Sequence, residues 1–185
     1  MKAHRTIRTV LAIWLCGLLV QLPVSAQIFS TGSGHVEFES LVPLHAFTGK
    51  SDFLTGLVDS EGGTVDFFLD LGTLRTGNGK RDKDMRSTLN TDTFPFAEFF
   101  GRLTSSFDSE LAGAQAVTIA GDFSIHGVTR SIVVHGTLEL IGDELEADIR
   151  FSVMLADYDI EPPRLLIFKV DEEQKVHILT RLKME

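Results

Sequence analysis

The sequence predicts an all-β fold, an antiparallel barrel of about eight strands with one short helix. Three observations predict it. Apolar and polar residues alternate with period two over many short segments, turn-forming glycines and acidic residues separate those segments, and a single segment has helical character. Consecutive strands joined by tight turns pair antiparallel, and closing the sheet removes its exposed edges. A barrel is therefore favoured over a sandwich.

The N-terminal segment is typical of a secretory signal peptide. Three basic residues and no acidic one precede an apolar run over 10–20, and small residues follow at Val24-Ser25-Ala26. The run is too short to span a bilayer, and the small residues fit cleavage after Ala26. The sequence therefore predicts a signal peptide over 1–26 and, after its removal, a periplasmic or secreted protein.

Removing 26 of the 185 residues leaves 159, without the single cysteine and the single tryptophan. The predicted mature chain has no disulfide, so a hydrophobic core alone must stabilise it, and about 160 residues suffice for one core. We predict a flexible leader over 27–34 and a single β-barrel domain over 35–185.

The charge of the chain constrains its partners. The formal net charge is −9 for the whole sequence, and it becomes more negative when the basic N-terminal segment is removed. Nucleic-acid binding requires clustered lysine and arginine, and anionic membrane surfaces repel the same excess of acid. We expect no nucleic-acid partner and no stable membrane insertion.

Alternation identifies the strands one by one. In the clearest, 145–153, every odd residue is apolar and every even residue is polar or charged. One helix is predicted over 81–89, because Phe94-Pro95 prevents its continuation. The other predicted strands are 65–71, 117–125 and 132–140, and, with weaker patterns, 47–58, 97–104, 165–170 and 176–182.

For each sequence pattern that resembles a catalytic or metal site, a structural role is the better explanation. The glycine spacing over 72–77 resembles a phosphate loop, but Asn78 stands where the lysine belongs. Ser124 and His126 share a strand face, yet no acid is placed to orient the histidine. No two histidines of the mature chain have the close spacing of a zinc site. We predict no enzyme, no catalytic residue, no metal and no cofactor other than an apolar lipid ligand.

Each of two charged clusters is open to two interpretations, one as a binding site and one as a structural feature. Alternate carboxylates over 157–161 could bind calcium or assist an enzyme, but they lack the glycine turn of a calcium loop, so a solvated acidic connection is favoured. The charged residues of the helix either bind a lipid head group or form ion pairs that hold the helix to the barrel rim. These residues are Arg81, Asp82, Asp84 and Arg86.

Phenylalanine dominates the aromatic residues, with 14 Phe against one Tyr. Sites that bind sugars or stack bases favour aromatics with a polar group or an indole face, whereas phenylalanine offers apolar bulk only. A barrel of about eight strands either fills its interior or leaves room for one small ligand, and alternation does not distinguish the two. The residues predicted to face inward and to bind a ligand are Val65, Phe67, Leu69, Phe99, Val117, Ile119, Phe123, Leu145, Ile149 and Phe151.

Three motifs, in this order, resemble the YceI-like family. They match that family's Thr-Gly and Arg-Asp pairs, its Phe-Pro-x-x-x-Phe signature and its Gly-x-Leu-x-Ile-x-Gly-Val-Thr hairpin, and the resemblance covers about 47–153. The opening strand, over 34–43, and the segment after Glu161 depart from the family pattern. The motifs are Leu74-Arg-Thr-Gly-Asn-Gly-Lys-Arg-Asp-Lys-Asp-Met-Arg-Ser87, Asn90-Thr-Asp-Thr-Phe-Pro-Phe-Ala-Glu-Phe99 and Gly121-Asp-Phe-Ser-Ile-His-Gly-Val-Thr-Arg-Ser-Ile132.

The resemblance implies an exported, lipocalin-like barrel that holds a polyisoprenoid or a similar long apolar lipid in its lumen, as a carrier or a sequestering protein. The alternative is a ligand-free structural or stress-response module whose acidic exterior meets a protein partner. The sequence leaves open which lipid is bound and whether the chain forms a homodimer.

Overall fold

In a computed structural model, the described residues form a closed antiparallel barrel with one short α-helix. The structure describes residues 27–42, 45–162, 164–165, 168–169 and 171–185, so the predicted signal peptide lies outside them. Two short 3₁₀ turns lie at Leu71–Thr73 and Leu155–Tyr158. The elements are β1 (Ile28–Val42), β2 (His45–Asp59), β3 (Thr64–Asp70), α1 (Gly79–Thr88), β4 (Phe96–Leu103), β5 (Gln115–Ile125), β6 (Val128–Ile141), β7 (Glu144–Met154), β8 (Arg164–Leu165), β9 (Phe168–Lys169) and β10 (Glu173–Met184).

The order around the barrel is β1-β10-β7-β6-β5-β4-β3-β2, and every pairing is antiparallel. Neighbours in sequence are neighbours in space, except that the small β8–β9 pair is inserted before β10. Strand β10 then pairs with β1 and closes the sheet. The predicted fold class is confirmed.

The two ends of the barrel differ. The terminal end is the one where the first and last strands pair Phe29 with Met184. Its core is solid, because Phe29, Leu145 and Leu182 are fully buried and pack together there. The helix end is the opposite one, where α1 and its flanking segments bring Leu71, Leu74 and Leu89 against inward residues of the strands.

The predicted leader over 27–34 is instead the first half of β1. Phe29 is buried in the core and pairs with Val58 on β2 and Met184 on β10. Register shifts interrupt both ladders between residues 30 and 36. These irregularities break the period-two alternation, which is why the sequence pattern did not indicate a strand.

Two further predictions differ in detail. The helix begins at Gly79 rather than at Arg81, because the Asn78 side chain accepts hydrogen bonds from the backbone N–H groups of Lys80 and Arg81 and so caps it. The predicted strand over 165–170 lies partly outside the described residues. Its described part belongs to the β8–β9 pair and not to the barrel.

Strands β4 and β5 approach closely at two facing glycines, Gly101 and Gly121. A methyl group on Gly121 would overlap the carbonyl oxygen of Phe100 and would lie 2.5 Å from the Cα of Gly101. These are backbone atoms, which cannot move aside without disturbing the ladder. The position therefore requires glycine for close approach of the two strands.

We expect Gly121→Ala to lower the free energy of unfolding by about 1–3 kcal/mol, because the added methyl overpacks against backbone. Chemical denaturation would measure the loss. Gly32→Ala is the matched control, since a methyl there would meet nothing within 4 Å, and it should cause no loss. Equal midpoints for the two variants would contradict the close-approach interpretation.

Candidate ligand-binding cavity

The barrel encloses a cavity of about 730 Å³. It reaches from the middle of the barrel, at Ile119 and Val134, to the helix end, where residues of α1 line it. Lys80, one of those residues, is exposed, so the cavity meets the surface beside α1. We call this opening the mouth. The volume lies within the usual range for small-molecule sites, roughly 300–1,000 Å³.

Two glycines on β2 let phenylalanine rings of the lumen lie close against the barrel wall. Gly49 pairs with Phe38 on β1, and Gly56 pairs with Phe67 on β3. A methyl group on either glycine would overlap the ring of its partner. Each ring therefore lies against the backbone of the facing strand. This arrangement leaves space inside a barrel that is rich in phenylalanine.

Aromatic residues form part of the wall towards the helix end. Phe123 contacts Phe151 and Tyr158 edge to face, with ring centroids 5.7 and 5.5 Å apart. Burial raises the pKa of the Tyr158 hydroxyl, so this ring stays neutral. The backbone carbonyl of Tyr158 lies 3.1 Å from Nδ1 of His126. This aromatic part of the wall is therefore apolar and uncharged, whereas Lys80, Arg81, Asp84 and Glu98 also line the cavity.

Ser124 and His126, considered above as a nucleophile pair, have separate partners. The Ser124 hydroxyl lies 2.7 Å from that of Thr129 on the neighbouring strand. His126 contacts the Tyr158 carbonyl, and its ring lies edge to face with Phe94, at 5.3 Å between centroids. His126 also adopts a left-handed backbone conformation, with φ of 56°. These contacts give both residues structural roles in the β5–β6 hairpin.

Eight of the ten residues predicted to bind a ligand line the cavity. The other two, Val117 and Leu145, pack in the solid core of the terminal end. Alternation identifies which side chains face inward, but it does not indicate the depth at which the void ends. Contact of the eight with a ligand stays a prediction. The eight are Val65, Phe67, Leu69, Phe99, Ile119, Phe123, Ile149 and Phe151.

Sequence reasoning missed much of the lining. On β1, the alternate residues Val36, Phe38 and Ser40 face the cavity, and their period-two pattern was a usable signal. The segment around α1 contributes Leu71 and Leu74. No sequence periodicity indicates that this irregular segment folds over the barrel end.

The charged residues of α1 have distinct roles. Asp82 is 6% exposed, and its Oδ1 accepts hydrogen bonds from the backbone N–H and the hydroxyl of Thr76, at 2.8 and 2.6 Å. Lys80 donates to Asp84 at 2.8 Å in an ion pair one helical turn apart. The Arg81 guanidinium lies 4.4 Å from the centroid of the Phe47 ring, at the mouth. Asp84 therefore forms an ion pair within α1 and not with the barrel rim, and Asp82 is a structural acceptor for Thr76.

The family follows from comparison with known proteins. The family profile of the YceI-like domain matches residues 28–182. This chain belongs to the YceI-like family. No curated protein matches it in sequence.

Solved structures share the fold of this YceI-like protein. A polyisoprenoid-binding domain from Saccharophagus degradans, implicated in plant cell wall breakdown, has 18% identity and a TM-score of 0.72 over 87% of this chain and 100% of that one. BcnA from Burkholderia cenocepacia has 13% identity and a TM-score of 0.67, over 80% and 95% of the two chains. The YceI protein of Campylobacter jejuni has 10% identity and a TM-score of 0.55, over 100% and 93%.

Outside the barrel, this YceI-like protein carries a strip of titratable side chains across β1, β10 and β7. His177 lies 3.0 Å from Asp148 and 3.7 Å from Glu37. Hydrogen bonds from Arg150, and then the nearby His177, hold the pKa of Asp148 below its usual value.

Within the described ranges, no group of three or more histidine, cysteine or acidic side chains is arranged to hold a metal ion. None of the helices in those ranges is both long and apolar enough to cross a membrane.

Asp82 fastens the segment before α1 to the helix itself. Its pKa is lowered, first by the hydrogen bond from the Thr76 hydroxyl and then, against the opposing effect of burial, by the Thr76 N–H and the charges of Arg75 and Arg86. A carboxylate whose pKa is depressed by folding stabilises the folded state at neutral pH. That contribution disappears as the pH falls below 3.8, the ordinary value, and through the folded-state pKa.

We expect Asp82→Asn to lower the melting temperature at pH 7 by about 2–4 °C, corresponding to roughly 1 kcal/mol for the difference between a charge-assisted and a neutral hydrogen bond. The difference from the wild type should shrink as the pH is lowered, because protonated Asp82 resembles asparagine. Scanning calorimetry over a pH series would measure it. The control is Asp84→Asn, whose surface ion pair contributes little. A difference that persists in acid would contradict this account.

Proposed function

We propose that this YceI-like protein is an exported binding protein that holds a polyisoprenoid or a similar long apolar lipid in the barrel cavity, as a carrier or sequestering protein. The observation that carries the proposal is the apolar cavity that reaches the surface beside α1. Family membership supports it, as does the similarity to a polyisoprenoid-binding domain from Saccharophagus degradans. The proposed mechanism is burial of a chain of matching shape, and no bond is made or broken.

The size of the cavity sets the length of chain that it can bury. A methylene group takes about the volume of one water molecule in the liquid, roughly 30 Å³. The 730 Å³ cavity therefore holds about two dozen carbon atoms, or about five isoprene units. A longer polyisoprenoid would extend through the mouth. The part of the chain outside would add little to affinity.

The energetics favour exchange over permanent retention. At about 0.3 kcal/mol per buried atom, two dozen carbons contribute about 7 kcal/mol, which corresponds to a Kd of roughly 10 µM. A bilayer buries the same carbons by the same hydrophobic effect, about 0.8 kcal/mol per methylene. The net preference for the protein over a membrane is therefore small. A carrier or a sequestering protein needs this property to take up and release its ligand.

We expect affinity for linear prenyl alcohols to rise about tenfold per isoprene unit until the cavity is full, at about five units, and to level off for longer chains. Competition against a fluorescent lipid probe would measure it. Val176→Phe adds about four carbon atoms to the lumen wall, so it should displace about four ligand carbons and weaken binding of the chains that fill the cavity about tenfold. The matched control is Val133→Phe, because Val133 is 57% exposed on the outer face. Equal binding by the two variants would show that the cavity is not the site.

We also expect organic extraction of the freshly exported protein, followed by mass spectrometry, to recover a long apolar lipid. Val176→Phe, purified in parallel, should yield less, since its lumen is smaller. Recovery of no lipid from the wild-type protein would favour the alternative of a ligand-free interaction module.

Export itself is testable on the same chain. We expect N-terminal sequencing of the secreted or periplasmic protein to begin at Gln27, because the small residues before it fit signal-peptidase cleavage. Ala26→Phe should block cleavage and leave the precursor. A chain that starts at Met1 and stays in the cytoplasm would contradict the proposal.

A further inference from the structure

Four phenylalanine residues are exposed on the outer surface of the neighbouring strands β2, β3 and β4. Each is between 42% and 63% exposed to solvent. Two of their rings, on β3 and β4, lie edge to face with centroids 6.0 Å apart. Large exposed apolar patches on soluble proteins mark interaction sites. The four residues are Phe53, Phe68, Phe96 and Phe100.

Carboxylates alternate with these rings. The exposed residues over 66–70 on β3 and over 96–100 on β4 are alternately phenylalanine and acid. Phe53 on β2 lies two residues from Thr55, the partner of Phe68. Asp122 on β5 pairs with Phe100. Across the β3–β4 ladder every exposed ring faces a carboxylate, and the pairs are Phe100 with Asp66, Phe68 with Glu98 and Phe96 with Asp70. We call the four rings and these four carboxylates the ring–carboxylate patch.

The ring–carboxylate patch has no basic residue of its own. The sequence contains no lysine, arginine or histidine over 51–59, 64–70, 96–101 or 115–125. Within the ranges that the structure describes, none of its four carboxylates forms an ion pair. Asp70 and Asp122 accept only neutral hydrogen bonds, from Gly72 and Ser131. The next outward residue on β4, Arg102, donates to a backbone carbonyl at 2.8 Å. The negative charge of the patch is therefore uncompensated.

This combination of rings and acids selects the partner. A second copy of the chain would bring carboxylates against carboxylates, and like charges oppose such an association. A bilayer would bury the carboxylates among apolar tails without counter-ions, which is strongly unfavourable. A protein surface that presents arginine or lysine between apolar side chains satisfies both components, because its cations pair with the carboxylates and lie over the ring faces.

We propose that the ring–carboxylate patch binds a basic, partly apolar segment of a partner protein. Strands β2 to β5 are each paired on both sides, so the segment lies on the face of the sheet and adds no strand to it. Neighbouring outward side chains of a strand are about 7 Å apart. One long cationic side chain can therefore pack its stem on a ring and place its charge at the adjacent carboxylate. The proposal is independent of a lipid in the cavity.

Synthetic peptides of equal length test the proposal. In the first, arginine alternates with leucine. In the second, glutamate replaces arginine, and in the third, serine replaces leucine. The wild-type protein should bind the arginine–leucine peptide about tenfold more tightly than either of the others, because only this peptide offers both cations and apolar contacts. Fluorescence anisotropy of labelled peptides would measure the affinities, and that of the first peptide should fall as salt is added.

Variants locate the binding surface. Phe100→Thr and Asp66→Asn remove one ring and the carboxylate that faces it, and Phe53→Thr is a second ring variant. Each should weaken binding of the arginine–leucine peptide about threefold to fivefold, as expected for one exposed cation–π contact or ion pair. The matched controls are Leu179→Thr and Asp143→Asn. Leu179 is exposed on β10, opposite β4 in the barrel, and Asp143 is exposed in the β6–β7 turn, so neither control should change the affinity.

Several results would overturn the proposal. One is absence of binding to the arginine–leucine peptide, and another is equal binding of the arginine–serine peptide. Equal weakening by the patch variants and the controls would indicate only general attraction between an acidic protein and a cation. A dimer that sedimentation detects and Phe100→Thr dissociates would identify a second copy as the occupant. Binding to phosphatidylcholine vesicles that the same variant abolishes would identify a bilayer.

Discussion

Pairing of β1 with β10 is the interaction on which the rest of this structure depends. It joins the first and last strands of the barrel, so neither is left with a free edge of unpaired backbone groups. At the terminal end it brings Phe29 into the core beside Leu182. Towards the helix end it places Ser40 next to Gln174. The same ladder therefore contributes both to the stability of the barrel and to the polar position in its cavity.

The structure separates stability from ligand space along the barrel axis. The terminal end is packed with large apolar side chains, and burial of these residues is the main stabilising contribution. Towards the helix end the lumen is open, because glycines let rings lie against the wall. An apolar void forfeits packing energy, since its lining atoms lack neighbours on one side. A bound apolar chain would restore those contacts, in agreement with the proposed function.

Helix α1 borders the mouth and is held by polar contacts more than by an apolar face. Its one buried residue is Asp82. The Asn78 cap, the Thr76 bonds and the stacking of Arg81 on Phe47 hold it in place. Elements with few buried apolar contacts open at lower free energy than core strands do. A helix held in this way agrees with the proposed exchange of the ligand with membranes.

Local sequence is sufficient to predict the alternating strands, the inward faces that include Phe67, Ile119 and Phe151, and the helix that ends before Phe94-Pro95. Each of these follows from local periodicity or from local backbone chemistry, which neighbouring residues encode. In contrast, three features are visible in the fold alone: 28–34 belongs to β1, the void stops above Val117 and Leu145, and Ser40 is buried beside Gln174. These features depend on register and on irregularities between strands distant in sequence, where a shift of one residue reverses which side chains face inward.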